Sequence, residues 1–378
     1  MLRQAQPLNI PALTGEREGR FALALLLLPW LATGLLIVGW QLAPGLLSRF
    51  IYAPLLLSVV LLGLPHGALD HLVPTRLGWR WAQRFWPVLG YNLLYAGLAG
   101  ALLLCWKVWP MWAFWGFLVV TVLHWGQGDL HFLETSLGRR RTNVLSAPLT
   151  LLLRGSLTVV LPLLIFPEWF QRLGDGAARA FGTPLAAGPL LPASWTAALW
   201  VLFAALLLAA CLDTWRSSPK RLLELGEVGL LLALFATVPP PLAIGSYFCL
   251  WHAWRHLGRL LALPAGLPAL PKTAGGEKNT DSRMELSFGV LPKEDTMAAG
   301  RITSHRELRR LALHLLPITL LALLLLLGLY LWAAPRIHDA ETFAALYLAL
   351  IAALTGPHAL LVALMDWPEK RSTGSPNP

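Results

Sequence analysis

The chain has 378 residues, of which 56% are apolar and 13% are charged. Soluble domains carry roughly 25% charged residues, so this composition excludes an ordinary water-soluble globular protein. The net charge of +10 does not point to nucleic acid, because the Lys and Arg residues sit in short segments between apolar blocks, where topology signals belong.

Many of the apolar blocks run to about 20 residues, the length that spans a hydrocarbon core. The first, Phe21 to Trp40, follows Arg17 and Arg20. It exceeds the roughly 7–15 residues of a signal-peptide core, so it reads as a retained helix. In chain order, spans are expected near 21–40, 50–73, 85–106, 108–127, 146–166, 193–212, 222–238, 241–262, 311–333 and 341–366. The expected fold class is therefore all-α, a polytopic transmembrane helical bundle of ten spans. Residues 1–20 form a cytoplasmic tail, 21–262 the first eight spans, 263–310 a flexible cytoplasmic loop, 311–366 the last two spans, and 367–378 a disordered tail.

The basic residues test this division. With the N-terminus inside, 23 Lys and Arg residues fall in cytoplasmic segments, five in outside loops (Arg49, Lys107, Arg172, Arg179 and Arg336), and Arg154 and Arg255 within spans. That alternation sets both termini in the cytoplasm and places the protein in the cell (inner, cytoplasmic) membrane. The three cysteines, Cys105, Cys211 and Cys249, all lie in apolar blocks, and no disulfide framework exists.

Ionisable residues inside a span are costly and mark a functional site by default. Here they gather in even-numbered spans. The second contains Pro65-His66-Gly67-Ala68-Leu69-Asp70-His71, and the fourth ends His124-Trp125-Gly126-Gln127-Gly128-Asp129. The eighth contains His252-Ala253-Trp254-Arg255-His256, and the tenth Gly356-Pro357-His358. All four run from outside to inside on this topology. His66, His124, His256 and His358 each lie about 15–17 residues along, so at about 1.5 Å per residue their depths agree to within a turn. Their imidazoles can meet in one layer of the cytoplasmic half of the membrane.

His252 and His256, four residues apart, project from one helix face and can hold one ion. Asp70 can accept a ring N–H from His66 or from a histidine on a neighbouring helix, and Asp129 and Asp366 can serve similarly. His358 is either an additional ligand or a helix–helix hydrogen-bond partner. His71 and His131 belong at the membrane interface, and Cys249 is a minor ligand candidate. All-imidazole ligation suits zinc, copper, iron or nickel, and spacing does not choose among them.

The motifs His66-Gly67-Ala68-Leu69-Asp70-His71, His124-Trp125-Gly126-Gln127-Gly128-Asp129, the His252/His256 pair and Gly356-Pro357-His358 together resemble the Brp/Blh family of bacterial and archaeal membrane proteins, which are beta-carotene 15,15'-dioxygenases. The match in order and helical context extends from about residue 50 to 366, and the first span and the 263–310 loop look like additions. The resemblance implies a non-haem iron(II) enzyme with Fe(2+) held by His66, His124, His252 and His256. It would split the central double bond of beta-carotene with dioxygen, giving two molecules of all-trans-retinal. Beta-carotene dissolves in the bilayer, so an embedded enzyme can admit it laterally. Trp125, Trp251 and Trp254, neighbours of the ligand histidines in sequence, are expected to line the substrate pocket. A rhodopsin is the expected recipient of retinal, and no nucleic-acid partner is expected. The alternatives are a zinc-dependent intramembrane lipid hydrolase and a histidine-lined transporter. A di-iron desaturase would need several histidine boxes, and only one HxxxH pair occurs.

Overall fold

The computed structural model describes residues 16–58, 63–185, 188–261 and 305–366, with side chains from 25 in the first segment and from 313 in the last, and without those of 65, 66 and 261. Most of the sequence-expected N-terminal tail and 263–310 loop, and all of the 367–378 tail, lie outside the described residues. Among the described residues every regular element is helical.

In chain order these are α1 (Glu16–Leu42), α2 (Pro44–Leu47), α3 (Ala53–Ser58), α4 (Leu64–Gly67), α5 (Val73–Arg76), α6 (Phe85–Val108), α7 (Pro110–Ser136) and α8 (Ser146–Thr158). They continue as α9 (Val160–Ile165), α10 (Pro167–Phe181), α11 (Ala193–Ser217), α12 (Arg221–Thr237), α13 (Pro240–Tyr247), α14 (Trp254–Leu261), α15 (His305–Ala333) and α16 (Ala340–Asp366).

Among the described residues, five helical stretches are long and apolar enough to cross a membrane: Leu25–Leu42, Phe85–Val108, Ala193–Ser217, Leu313–Arg336 and Ala340–Asp366. Their outer faces expose large aliphatic side chains, among them Leu31, Leu35, Leu93, Leu94, Val201, Leu202, Leu321 and Leu324. Apolar surface on this scale has no place in water. The chain is a helical membrane protein.

Two further expected spans, 108–127 and 222–238, are the continuous helices α7 and α12, but the remaining three are not single helices, and local chemistry explains why. The segment at 50–73 is cut into α3, α4 and a 3-10 turn at Asp70–Leu72 that leads into α5, with Pro54, Pro65 and Pro74 along it. The segment at 146–166 breaks at Val159, between α8 and α9. Pro162 has no N–H to give the carbonyl three or four residues back, so the ladder is interrupted there. The segment at 241–262 passes from α13 through a π-helical turn, Phe248–Ala253, into α14. A widened turn of this kind shifts the register of all that follows and is frequent at functional sites.

The most intimate packing is between α7 and α8. A Cβ at Gly126 would fall onto the Leu151 carbonyl, and one at Gly155 onto that of Val122. Reciprocal glycines thus let the two backbones touch, the usual device for close helix association in membranes. That contact fixes the height of α7, and with it the position of His124 and Asp129 against the neighbouring helices.

Candidate metal centre

Four buried imidazoles converge from α7, the π turn with α14, and α16. His124 lies on the inner face of α7, His252 in the π turn, His256 on α14, and His358 directly after Pro357 in α16. The ring centroids of His124 stand 4.8 Å from those of both His252 and His358, and His256 is 5.0 Å from His358. With metal–nitrogen bonds of about 2.1 Å, imidazoles at about 90–110° around one ion have centroids about 4.5–5.5 Å apart. The three spacings fall in that range. His252 and His256 lie 6.3 Å apart and only 9° from parallel.

Among the described residues no group of three or more His, Cys, Asp or Glu side chains stands as a fully formed metal site. The rings form an all-imidazole cluster whose spacing and donor type suit a borderline metal such as iron or zinc. His66 lies on α4, and its side chain is outside the described residues. Its neighbours Leu64, Gly67 and Ala68 line the same cavity as His124, His252 and His358.

Asp70 is joined to this cluster. His358 Nδ1 lies 2.8 Å from Asp70 Oδ2, and the Tyr95 hydroxyl donates to the same oxygen at 2.8 Å. With Nδ1 engaged by the carboxylate, Nε2 is the ring nitrogen left to meet a metal. The other two carboxylates face different partners. Asp129 receives Arg255 at 3.1 Å, with Arg154 at 3.7 Å. Asp366 lies half-exposed at the end of α16, where it meets Arg259, Gln127 and, at 3.7 Å, His131. His71 bonds the Ala68 carbonyl at 2.8 Å and stands beside His314, outside the cluster.

Beneath His252 and His256 lies a buried ionic knot. Glu227 on α12 accepts from Arg255 at 2.6 Å, from Arg154 at 2.9 Å and from the Trp30 indole at 3.2 Å. Together with Asp129 it balances the two guanidiniums, so the four groups are neutral as a set. They tie α1, α7, α8, α12 and α14 together. The Arg255 guanidinium also lies 3.9 Å over the Phe132 ring, which favours a desolvated cation.

A cavity of about 110 Å³ opens onto His124, His252 and His358, walled by Tyr95, Phe117, Thr121, Trp125, Phe248 and Thr355. A second chamber of about 80 Å³ is bounded by apolar groups such as Phe114, Val159, Phe170, Leu173 and Ile244. Phe117, Thr121, Trp125, Phe248 and Ile351 line both, so the chambers adjoin. Helix α15 forms one wall of the first chamber, with Ile318 and Ala322 facing in and Leu320, Leu321 and Leu324 exposed on the helix's outer side.

Trp125 stacks on Phe248, with centroids 5.8 Å apart, and forms part of both chambers. Trp251 and Trp254 line neither. Trp251 donates to Thr33 and lies under Arg255, and Trp254 packs with Leu25, Phe132 and Leu133. One and two residues from a histidine, they are turned about 100–200° away from its face. Sequence reasoning did not single out Tyr95, Phe117, Thr121 or Phe248, which look like ordinary apolar-span residues. Glu227 carried a usable signal, as an acid within an apolar block.

The family model described as beta-carotene 15,15'-dioxygenase matches residues 57–366. The chain is 33% identical over 377 residues to "Probable beta-carotene 15,15'-dioxygenase Blh" of Halobacterium salinarum, covering 96% of this chain and 98% of that one. It is 29% identical over 201 residues to the "Beta-carotene 15,15'-dioxygenase" of an uncultured marine bacterium, covering 52% of this chain and 65% of that one. No solved structure matches it.

Proposed function

Because the chain belongs to the beta-carotene 15,15'-dioxygenase family, we propose that it cleaves beta-carotene to two molecules of retinal at an iron held by its clustered histidines. The observation that carries this reading is the two-chambered apolar slot that ends on the imidazoles. A hydrocarbon polyene needs a dry, aromatic-lined channel, and a small number of polar groups at one point along it. One molecule of dioxygen supplies one oxygen atom to each retinal, which balances the reaction without a further reductant.

His66, His124, His252 and His256 would hold Fe(2+), as the family resemblance implies. When bound, the metal supplies the means of activating dioxygen beside an alkene. The chain's own residues do the rest. Trp125 and Phe248, stacked on each other at the junction of the chambers, present one aromatic wall to the flat polyene. Phe114, Phe170 and Leu173 receive the half that lies beyond the junction, which sets the bond left over the histidines. The wall formed by α15, whose outer side is apolar, is the natural route of entry from lipid. In this reading the chain crosses the cytoplasmic membrane ten times with both termini inside, supported by the distribution of Lys and Arg. Retinal leaves into the same bilayer, where a rhodopsin would take it up. Family membership favours neither a zinc-dependent lipid hydrolase nor a histidine-lined transporter.

Cells that make beta-carotene test the reading. Expression of the chain is expected to bleach them and accumulate retinal, in an oxygen-dependent and iron-dependent manner. Intact carotenoid in cells with well-expressed, iron-loaded protein sinks it.

The junction offers a separate check. Thr121 lies in both chambers one turn before His124, so Thr121→Phe should plug the slot without touching a histidine. Retinal formation is expected to fall by about 10-fold or more, while bound iron per chain stays at the wild-type level. Unchanged turnover would show that the polyene does not pass this point.

A further inference from the structure

His358 lies outside the four histidines that the family resemblance assigns to the metal, yet the fold places it among them. Its ring meets those of His124 and His256 edge to face at 4.8 and 5.0 Å, with interplanar angles of 83° and 78°. These separations lie within the range of about 4.5–5.5 Å expected for two imidazoles sharing an ion. Its Nδ1 is committed to Asp70, and Asp70 is held in turn. Tyr95 donates to Asp70 Oδ2, and Tyr91 to the Asp70 main-chain carbonyl at 3.3 Å. Residue 358 follows Pro357 within α16, and the next helix-facing residue, Leu361, is buried beside Leu69 and Leu72. The ring is therefore pinned from both sides. A histidine whose Nδ1 is engaged by a carboxylate and whose ring stands among other imidazoles has the arrangement that orients metal-bound imidazoles generally.

We propose that His358 is itself an iron ligand through Nε2, and that Asp70 and Tyr95 are its positioning residues. This rests on the iron-site reading above and adds a donor to it. Asp70 raises the basicity of the ring and fixes its tautomer. Tyr95 keeps the carboxylate from rotating away and satisfies its second acceptor site in a dry setting. The three come from α16, the turn after α4 and α6, so binding of the ion also ties these helices together.

The test measures bound Fe(2+) per chain, and its dissociation constant by competition with a chromophoric chelator, on the full-length protein in detergent under anaerobic conditions. His358→Ala is expected to weaken iron at least about 100-fold, and millimolar free imidazole to restore much of it by filling the vacated position. Asp70→Asn should weaken iron about 10–100-fold, the usual effect of losing the partner of a ligand histidine. Tyr95→Phe should act in the same direction and less strongly. A folded His358→Ala protein that holds iron as tightly as wild type overturns the proposal, as does a weakened one that imidazole fails to rescue. If His358→Ala does not fold, Asp70→Asn decides, and wild-type iron affinity there overturns it. Wild-type protein that binds no iron removes the underlying reading as well, which separates the two failures.

Discussion

His124→Ala is expected to abolish retinal formation in carotene-making cells, with a loss of at least about 100-fold, because removing even the outer partner of a metal ligand costs about 10–100-fold. His124 is central to the cluster, its ring standing 4.8 Å from both His252 and His358, which lie on different helices. Its loss should also lower bound iron, and that separates a ligand role from a packing role. A buried ring replaced by methyl leaves a void, which destabilises by about 2–5 kcal/mol on its own. Folded yield and iron content must therefore be measured together. His131→Ala provides the contrast. His131 sits two turns further along the same helix, 3.7 Å from Asp366 at the half-exposed end of α16. It should leave iron and turnover within about two-fold of wild type. Full activity in a folded His124→Ala protein would dissolve the proposed centre.

How much of this was legible beforehand follows from which signals are local. The membrane class and the gathering of the histidine-bearing segments could be read because both depend on one helix at a time: block length, and position along the block. His124, His252, His256 and His358 do come together, and so does Asp70, which is bonded to a histidine on a different helix from its own. Continuity of the spans was not legible. Apolar runs at 50–73, 146–166 and 241–262 satisfy a hydropathy window whether or not the backbone is broken within them, and Pro162 and the π turn at Phe248–Ala253 decide the matter locally. The lining of the slot was hidden for another reason. Phe117, Thr121 and Phe248 differ in no sequence property from residues that face lipid, and only the packing of α7 against the π turn and α16 selects them. Trp251 and Trp254 line neither of the two chambers, because neighbours in a helix point to different sides.

The ionic knot beneath the histidines sets the second large effect. Glu227 accepts from both Arg255 and Arg154, and Asp129 faces the same two cations, all four side chains being at most 3% exposed. Glu227→Gln removes one negative charge and leaves two guanidiniums against a single carboxylate. An uncompensated buried charge of this kind costs about 3–5 kcal/mol. Arg154→Met alone leaves the opposite imbalance and should cost a similar amount. The double variant restores neutrality, with Asp129 still paired to Arg255 at 3.1 Å. Its destabilisation is expected to fall short of the sum of the singles by about 0.5–3 kcal/mol, the range of coupling for residues in one network. Unfolding of the detergent-solubilised protein, followed for wild type, both singles and the double, measures that coupling. Additive losses would mean that each arginine is held by packing and not by the shared acid. Arg255 lies between His252 and His256 in sequence. The singles should therefore also loosen iron binding, whereas the neutral double, which keeps the Arg255–Asp129 pair, should recover part of it.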